Sequence, residues 1–194
     1  GPNWYISNIG SDETGDGSEN NPYETIQKGI DVSTNGDTVL VSVGTYIENI
    51  NYNGKSIVVQ GENRETTIID GNQNGSVVLF NNGEDSTTVL KNFTITNGIS
   101  GIKLLSSSAK LINLDIIYNN EPFYANYSFL LIDNVNIAYN IGDFSISSSN
   151  IQIYGLEFEN NDGGIELINT NGTIQNSIFI NNQNDGLIYS YEAN

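Results

Sequence analysis

The chain has 194 residues, 23 acidic and six basic side chains, a formal charge of -17, and no His, Cys or Met. That charge repels nucleic acid and anionic membrane surfaces. The missing residues exclude disulfides, thiolate chemistry, zinc sites of the usual ligands and any His-dependent triad. No apolar run approaches the roughly 20 residues that cross a bilayer, so neither nucleic-acid binding nor membrane insertion is expected.

Gly1-Pro2 reads as the remnant of a removed tag, and residues 3–37 read as an N-terminal cap. Trp4 to Ile9 alternates weakly and predicts a short first strand. The Gly-rich loop "GSDETGDGSENNP" carries Asp12, Asp16 and Glu19, which are candidate calcium ligands because hard cations want clustered oxygens. The EF-hand spacing fails, since the twelfth position counted from Asp12 is Tyr23, and a solvated turn is the alternative. Asn21-Pro22-Tyr23-Glu24 combines a cap residue, Pro at the first helical position and Glu three residues after the cap. It predicts a helix from Asn21 to about Val32, with Ile26 and Ile30 on one stripe, covering the end of the following array.

Residues 38–87 hold short Val- and Ile-rich stretches at Thr38–Val43, 50–52, 57–59, 67–69 and 77–80, punctuated by Gly54, Gly61, Gly71 and Gly75, with a turn at Gly44-Thr45-Tyr46. From residue 88 to 194 a pattern returns every 21 residues. Leu90, Leu111, Ile132, Ile153 and Ile174 share one register; Phe93, Leu114, Val135, Leu156 and Ser177 share another. Ile95, Ile116, Ile137, Phe158 and Phe179 form a third, and Ile102, Phe123, Phe144 and Ile165 a fourth, with Leu187 displaced by one inserted residue. Asn recurs at 92, 113, 134 and 176 and at 119, 140, 161 and 182, accounting for much of an excess of 32 Asn. Such rows predict stacked side-chain ladders at corners rather than a ligand site. Apolar positions on three sides of every coil leave no room for the helical half of a leucine-rich repeat. The predicted fold is all-β: a right-handed parallel β-helix with three short strands per coil of about 21 residues, closed at one end by the N-terminal capping helix. Nothing in "DGLIYSYEAN" reads as a cap, so the C-terminal end is expected to be truncated or to associate end to end with a second copy.

The runs "GDGSENNPYETIQKGIDVSTNGDTVLVSVGTYIENI", "NGKSIVVQGE", "TTIIDG" and "VLKNFTITNG" resemble the cap, first coils and repeat of secreted or surface bacterial β-helix proteins of the pectin-lyase-like superfamily. The resemblance covers nearly the whole chain and implies the fold, whereas that superfamily holds lyases, hydrolases, esterases and adhesins. Its catalytic patterns map poorly. The Asp-Asp pair and His-Gly of polygalacturonase-like hydrolases are absent, and the sole arginine, Arg64, falls in an early corner with Glu62 and Glu65, apart from any Asp pair. A pectate-lyase-like reading needs a Lys or Arg base near calcium-binding carboxylates, and the regular coils offer Lys91, Lys103 and Lys110.

If the registers above point inward, their neighbours point out. One outward row is Thr94, Asp115, Asn136, Glu157 and Ile178; the next is Thr96, Ile117, Ala138, Glu159 and Ile180. Around the corner lie Lys91, Ile112, Asp133, Tyr154 and Gln175. Asp115 and Glu157, two rungs apart, are the catalytic candidates together with Lys103 and Lys110. Tyr154 with Asp133 could offer a sugar a stacking face and an acceptor; Tyr118, Tyr124, Tyr127 and Tyr139 complete the candidate carbohydrate contacts. Each has a plainer reading as solvated acidic surface or stacked aromatics on a solenoid exterior. The expected function is a non-catalytic module of a secreted or cell-surface bacterial protein, acting as stalk, adhesin or carbohydrate-contacting domain with a polysaccharide or surface partner. The alternative is a calcium-assisted polysaccharide lyase acting on acidic glycans.

Overall fold

The computed structural model describes residues 1–183 and 188–191. Strand β1 (Asn3–Ile6) precedes helix α1 (Ile26–Val32), followed by β2 (Thr38–Val41), β3 (Gly44–Ile47), β4 (Ile50–Asn51), β5 (Val58–Gly61), β6 (Thr67–Asp70) and β7 (Ser76–Phe80). The regular coils contribute β8 (Val89–Thr96), β9 (Ser100–Leu105), β10 (Ser108–Ile117), β11 (Glu121–Asn126), β12 (Phe129–Ala138), β13 (Phe144–Ser147) and β14 (Asn150–Glu159). They end with β15 (Ile165–Ile168), β16 (Asn171–Gln175), β17 (Ile178–Ile180) and β18 (Ile188–Tyr191). Every pair of strands is parallel, and the coils wind about seven turns of a right-handed β-helix.

Two sheets form this solenoid. The longer runs β1-β2-β5-β8-β10-β12-β14-β16, with β6 bridging β3 and β8 and with β17 on β14. The other runs β4-β7-β9-β11-β13-β15-β18. The long strands β8, β10, β12 and β14 each cover two sides of the coil because they bend in mid-course, at Asn92, Asn113, Asn134 and Gly155, whose φ angles are +64°, +53°, +53° and +62°. Asn tolerates this left-handed conformation better than most residues. Its amide then links the rungs: Asn113 Nδ2 donates to Asn92 Oδ1 and Asn134 Nδ2 to Asn113 Oδ1, both at 2.9 Å.

The predicted registers pair as stated. Leu111 lies between Leu90 and Ile132, Ile116 between Ile95 and Ile137, and Phe123 between Ile102 and Phe144, all essentially inaccessible. Phe123 and Phe144 stack with centroids 4.8 Å apart. Ile165 pairs with Ile188; Leu187 lies outside the described residues, as does part of the C-terminal stretch on which the expectation of an open end rests.

At a second corner the row Asn119, Asn140, Asn161 and Asn182 turns inward. The Oδ1 of Asn140 accepts the backbone N–H of Asn119 at 2.8 Å, that of Asn161 accepts Asn140 at 3.0 Å, and that of Asn182 accepts Asn161 at 3.0 Å. Their Nδ2 groups donate to Ile95, Ile116, Ile137 and Phe158 carbonyls. A buried backbone N–H needs a partner, and these amides supply one where the chain leaves the strand.

Three local expectations change. The helix starts at Ile26 rather than Asn21, because Tyr23 makes a parallel bridge with Ile6 and is 8% exposed, while Asn21 bridges Ser18. Thr25 is the cap, its side chain accepting from Lys28 N, and the Glu48 carboxylate takes Ile26 N and Gln27 N at 3.0 Å each. Gly44 to Ile47 is a strand paired with β6 rather than a turn. The helix does cover the first coil: Ile26, Gly29 and Ile30 are buried, and a Cβ on Gly29 would lie 2.6 Å from Ile6 Cδ1.

Candidate site on the outer face of the long sheet

The outward rows also hold. Asp115 pairs with Thr94 on one side and Asn136 on the other, Asn136 with Glu157, and Asp133 with Tyr154. Two members are not exposed, however. Ala138 is buried, and Thr94 is covered because its hydroxyl donates to the Arg64 carbonyl at 2.7 Å.

That bond places Arg64 over the regular coils. The corner after β5 turns at Asn63, whose side chain accepts Glu65 N at 2.8 Å and whose carbonyl accepts Thr67 N at 2.8 Å. Arg64 therefore leans over β8 and extends along the face, its Nε 3.6 Å from Asp115 Oδ2 and its Nη1 3.5 Å from the Asn134 carbonyl. Arg64 is not isolated in an early corner; it stands beside a carboxylate two strands further on. Burial pushes the Asp115 carboxyl above the usual Asp range; the Arg64 guanidinium and a hydrogen bond from Asn136 oppose the rise, and Glu65 and Glu157 add to it. The Asn136 Oδ1 atom is itself buried and accepts no hydrogen bond among the described residues. Glu157 follows one rung later; with rungs about 4.8 Å apart, it stands roughly 9 to 10 Å from Asp115 along the axis. This face gathers a charged pair and a carboxyl poised to hold its proton more readily than usual. Sugar hydroxyls can donate to such groups and accept from Arg64.

The remaining candidates fall elsewhere. Lys103 and Tyr124 lie on the other sheet, with the ammonium 5.4 Å from the ring centroid, and Ser145 in the same row donates to Glu166 at 2.8 Å. Lys110 shares β10 with Asp115 but sits at the far end of the strand, across the bend at Asn113. Tyr118 and Tyr139 stack at an exposed corner, centroids 5.4 Å apart and planes 15° apart, so each presents one ring face to its neighbour. Tyr127 occupies the following corner. Asp12, Asp16 and Glu19 do not converge. The Asp12 carboxylate accepts Glu24 N, Thr25 N and Thr25 Oγ1, and Asp16 accepts Ser18 N. No group of three or more metal-capable side chains occurs among the described residues.

The fold is similar to that of several solved β-helix proteins. The structure is similar to pectin methylesterase PemA from Erwinia chrysanthemi, with TM-score 0.59 and 10% identity over 89% of this chain and 67% of that one. A pectin methylesterase mutant in complex with a hexasaccharide gives 0.57 and 10%, covering 97% and 80%; pectin methylesterase from carrot gives 0.52 and 15%, covering 98% and 81%. No protein-family model matches the sequence, and no curated protein matches it significantly. The chain thus has the pectin-lyase-like right-handed parallel β-helix fold. No helix among the described residues is long and apolar enough to cross a membrane.

Proposed function

We propose that this β-helix is a carbohydrate-contacting module of a secreted or cell-surface bacterial protein, engaging glycan on the outer face of its long sheet. The observation that carries the reading is the pairing of Arg64 with Asp115 on this face, with Asp133 and Tyr154 around the corner formed at Asn134 and Gly155. An aromatic face beside directional polar groups is how proteins hold sugar rings. Affinity electrophoresis through gels containing neutral and acidic polysaccharides tests it: at least one glycan retards the protein, and Arg64→Ala and Tyr154→Ala abolish the retardation. Unchanged mobility in every gel removes the proposal.

A second reading has specific support. A carboxyl raised by burial and flanked by the sole arginine is a candidate proton donor for ester or glycosidic bond cleavage, with Glu157 as the second carboxylate. Incubation with esterified and unesterified glycans, monitored for released alcohol and reducing ends, separates the readings. Turnover that vanishes in Asp115→Asn makes the protein an enzyme.

A further inference from the structure

Around the corner from Asp115, the other side of the long sheet leads toward the N-terminus into a cavity of about 800 Å³. Its floor is the outward row of the first coils, Tyr5, Leu40 and Gln60, which pair rung by rung and run through Lys91 and Ile112 into Asp133 and Tyr154. Its overhanging wall is the loop between β1 and α1. The loop is fixed by its own bonds: Ser7 N to the Tyr23 carbonyl at 2.9 Å, Ser11 N to the Pro22 carbonyl at 3.1 Å, and the Asp12 carboxylate to Glu24 N at 2.8 Å. The cavity is therefore formed before any ligand arrives, which lowers the ordering cost of binding. At its rim Ile9 is 91% exposed, an apolar side chain that covers nothing in the protein itself.

The lining chemistry selects the occupant. Tyr5, Leu40 and Pro22 offer apolar surface, while Ser42 and Gln60 offer uncharged donors and acceptors. The charged members of the lining are Glu19 and Glu62; neither Lys nor Arg lines the cavity. A chain of formal charge -17 strengthens their field. Carboxylated sugars would enter against like charge, with no cation in the lining to offset it. An uncharged pyranose matches the space, the apolar faces and the amide and hydroxyl groups.

We infer that the cavity between the N-terminal loop and the long sheet binds an uncharged sugar residue of a linear glycan, and that this protein discriminates against polyuronates. The inference rests on the glycan-contacting reading above and adds the sugar class and a second subsite along the same row. The neighbouring folds whose names refer to pectin give no guide here, because the selecting charges come from this chain's own Glu19 and Glu62.

Calorimetric titration of the full chain with cello-, manno- and xylo-oligosaccharides and with oligogalacturonate tests it, together with amide shift mapping. At least one neutral oligosaccharide binds, at least about tenfold more tightly than oligogalacturonate, a margin set by one or two like-charge encounters. Shifts occur at Tyr5, Leu40 and Gln60. Gln60→Ala and Ile9→Ser each weaken binding several-fold while the far-UV spectrum stays unchanged, and Glu19→Lys with Glu62→Lys raises oligogalacturonate affinity. Preferential binding of oligogalacturonate by the unaltered protein overturns the inference, as does neutral-sugar binding indifferent to Gln60→Ala and Ile9→Ser. If Arg64→Ala abolishes binding while the cavity variants are silent, the glycan-contacting function stands and the cavity does not. If no oligosaccharide binds at all, both fall.

Discussion

Asp115 is held between opposing influences, and each can be removed separately. Burial raises its carboxyl, Arg64 pulls it down and Glu157 pushes it up. Arg64→Ala therefore moves the Asp115 titration to higher pH and Glu157→Gln moves it lower, as read by carboxyl-carbon NMR shifts; a shift of either in the opposite sense refutes this account of the pair. Asn140 illustrates a different economy, in which one amide serves three rungs. Its Oδ1 accepts Asn119 N, and its Nδ2 donates to the Ile116 carbonyl and to Asn161 Oδ1. Asn140→Ala takes these partners from the buried Asn119 N–H and Ile116 carbonyl and costs about 2 to 4 kcal/mol in urea unfolding, well above the loss expected at an exposed Asn.

Among the elements, α1 depends on a residue outside itself. Glu48 caps its first two N–H groups from the following coil, and burial, followed by the charges of Asp12 and Glu24, raises its carboxyl above 4.5 despite those hydrogen bonds. An acid with a raised folded-state pKa binds protons more readily folded than unfolded, so its contribution falls as pH climbs from about 4.5 through the higher folded value. Glu48→Gln keeps one acceptor and lacks the charge; its stability curve as pH rises from 4.5 is flatter than that of the parent, measured by thermal melts across pH. Asp37 works in the opposite sense. Burial opposes ionisation, but Thr34 N, Trp4 Nε1 and Thr34 Oγ1 all donate to it and hold its carboxyl below 3.8, so its contribution is lost only as pH falls beneath that value.

The helix and the arginine also mark how far a sequence can be read. The coils were legible because each inward position repeats at a fixed interval, so one pattern is stated five times over, as with Leu90 to Ile174. The helix start was misplaced because Asn21-Pro22 carries a strong local signal that the Tyr23 to Ile6 bridge overrides. Arg64 was misplaced for a related reason. Arg64 lies where the repeat has not yet become regular, its partner Asp115 belongs to a coil two strands away, and a long side chain lying along the axis crosses rungs that periodicity treats as separate. The outward rows were legible as rows, but which of their members a neighbouring corner would cover, as at Thr94, was not.

For the whole molecule, charge is the property not balanced by the fold. Among the described residues one ion pair between side chains occurs, Arg64 with Asp115, against a formal charge of -17. Self-repulsion of this size is screened over about 10 Å at 0.1 M salt. Raising sodium chloride from about 0.01 to 0.5 M is expected to increase the melting temperature in calorimetry, the reverse of a protein held by surface ion pairs.

The inward Asn row carries a consequence for how such a molecule can change. Each rung hands its corner N–H to the amide of the next, always 21 residues on, at Asn119, Asn140 and Asn161 alike. Losing or gaining one residue in these coils puts every later amide out of step with the N–H it serves and turns inward side chains out. Losing or gaining a whole turn leaves each donor facing an equivalent acceptor. The solenoid is thus a ruler with fixed graduations: its length can be edited in steps of one rung, about 4.8 Å, and inserted residues are admitted only at corners outside the ladder.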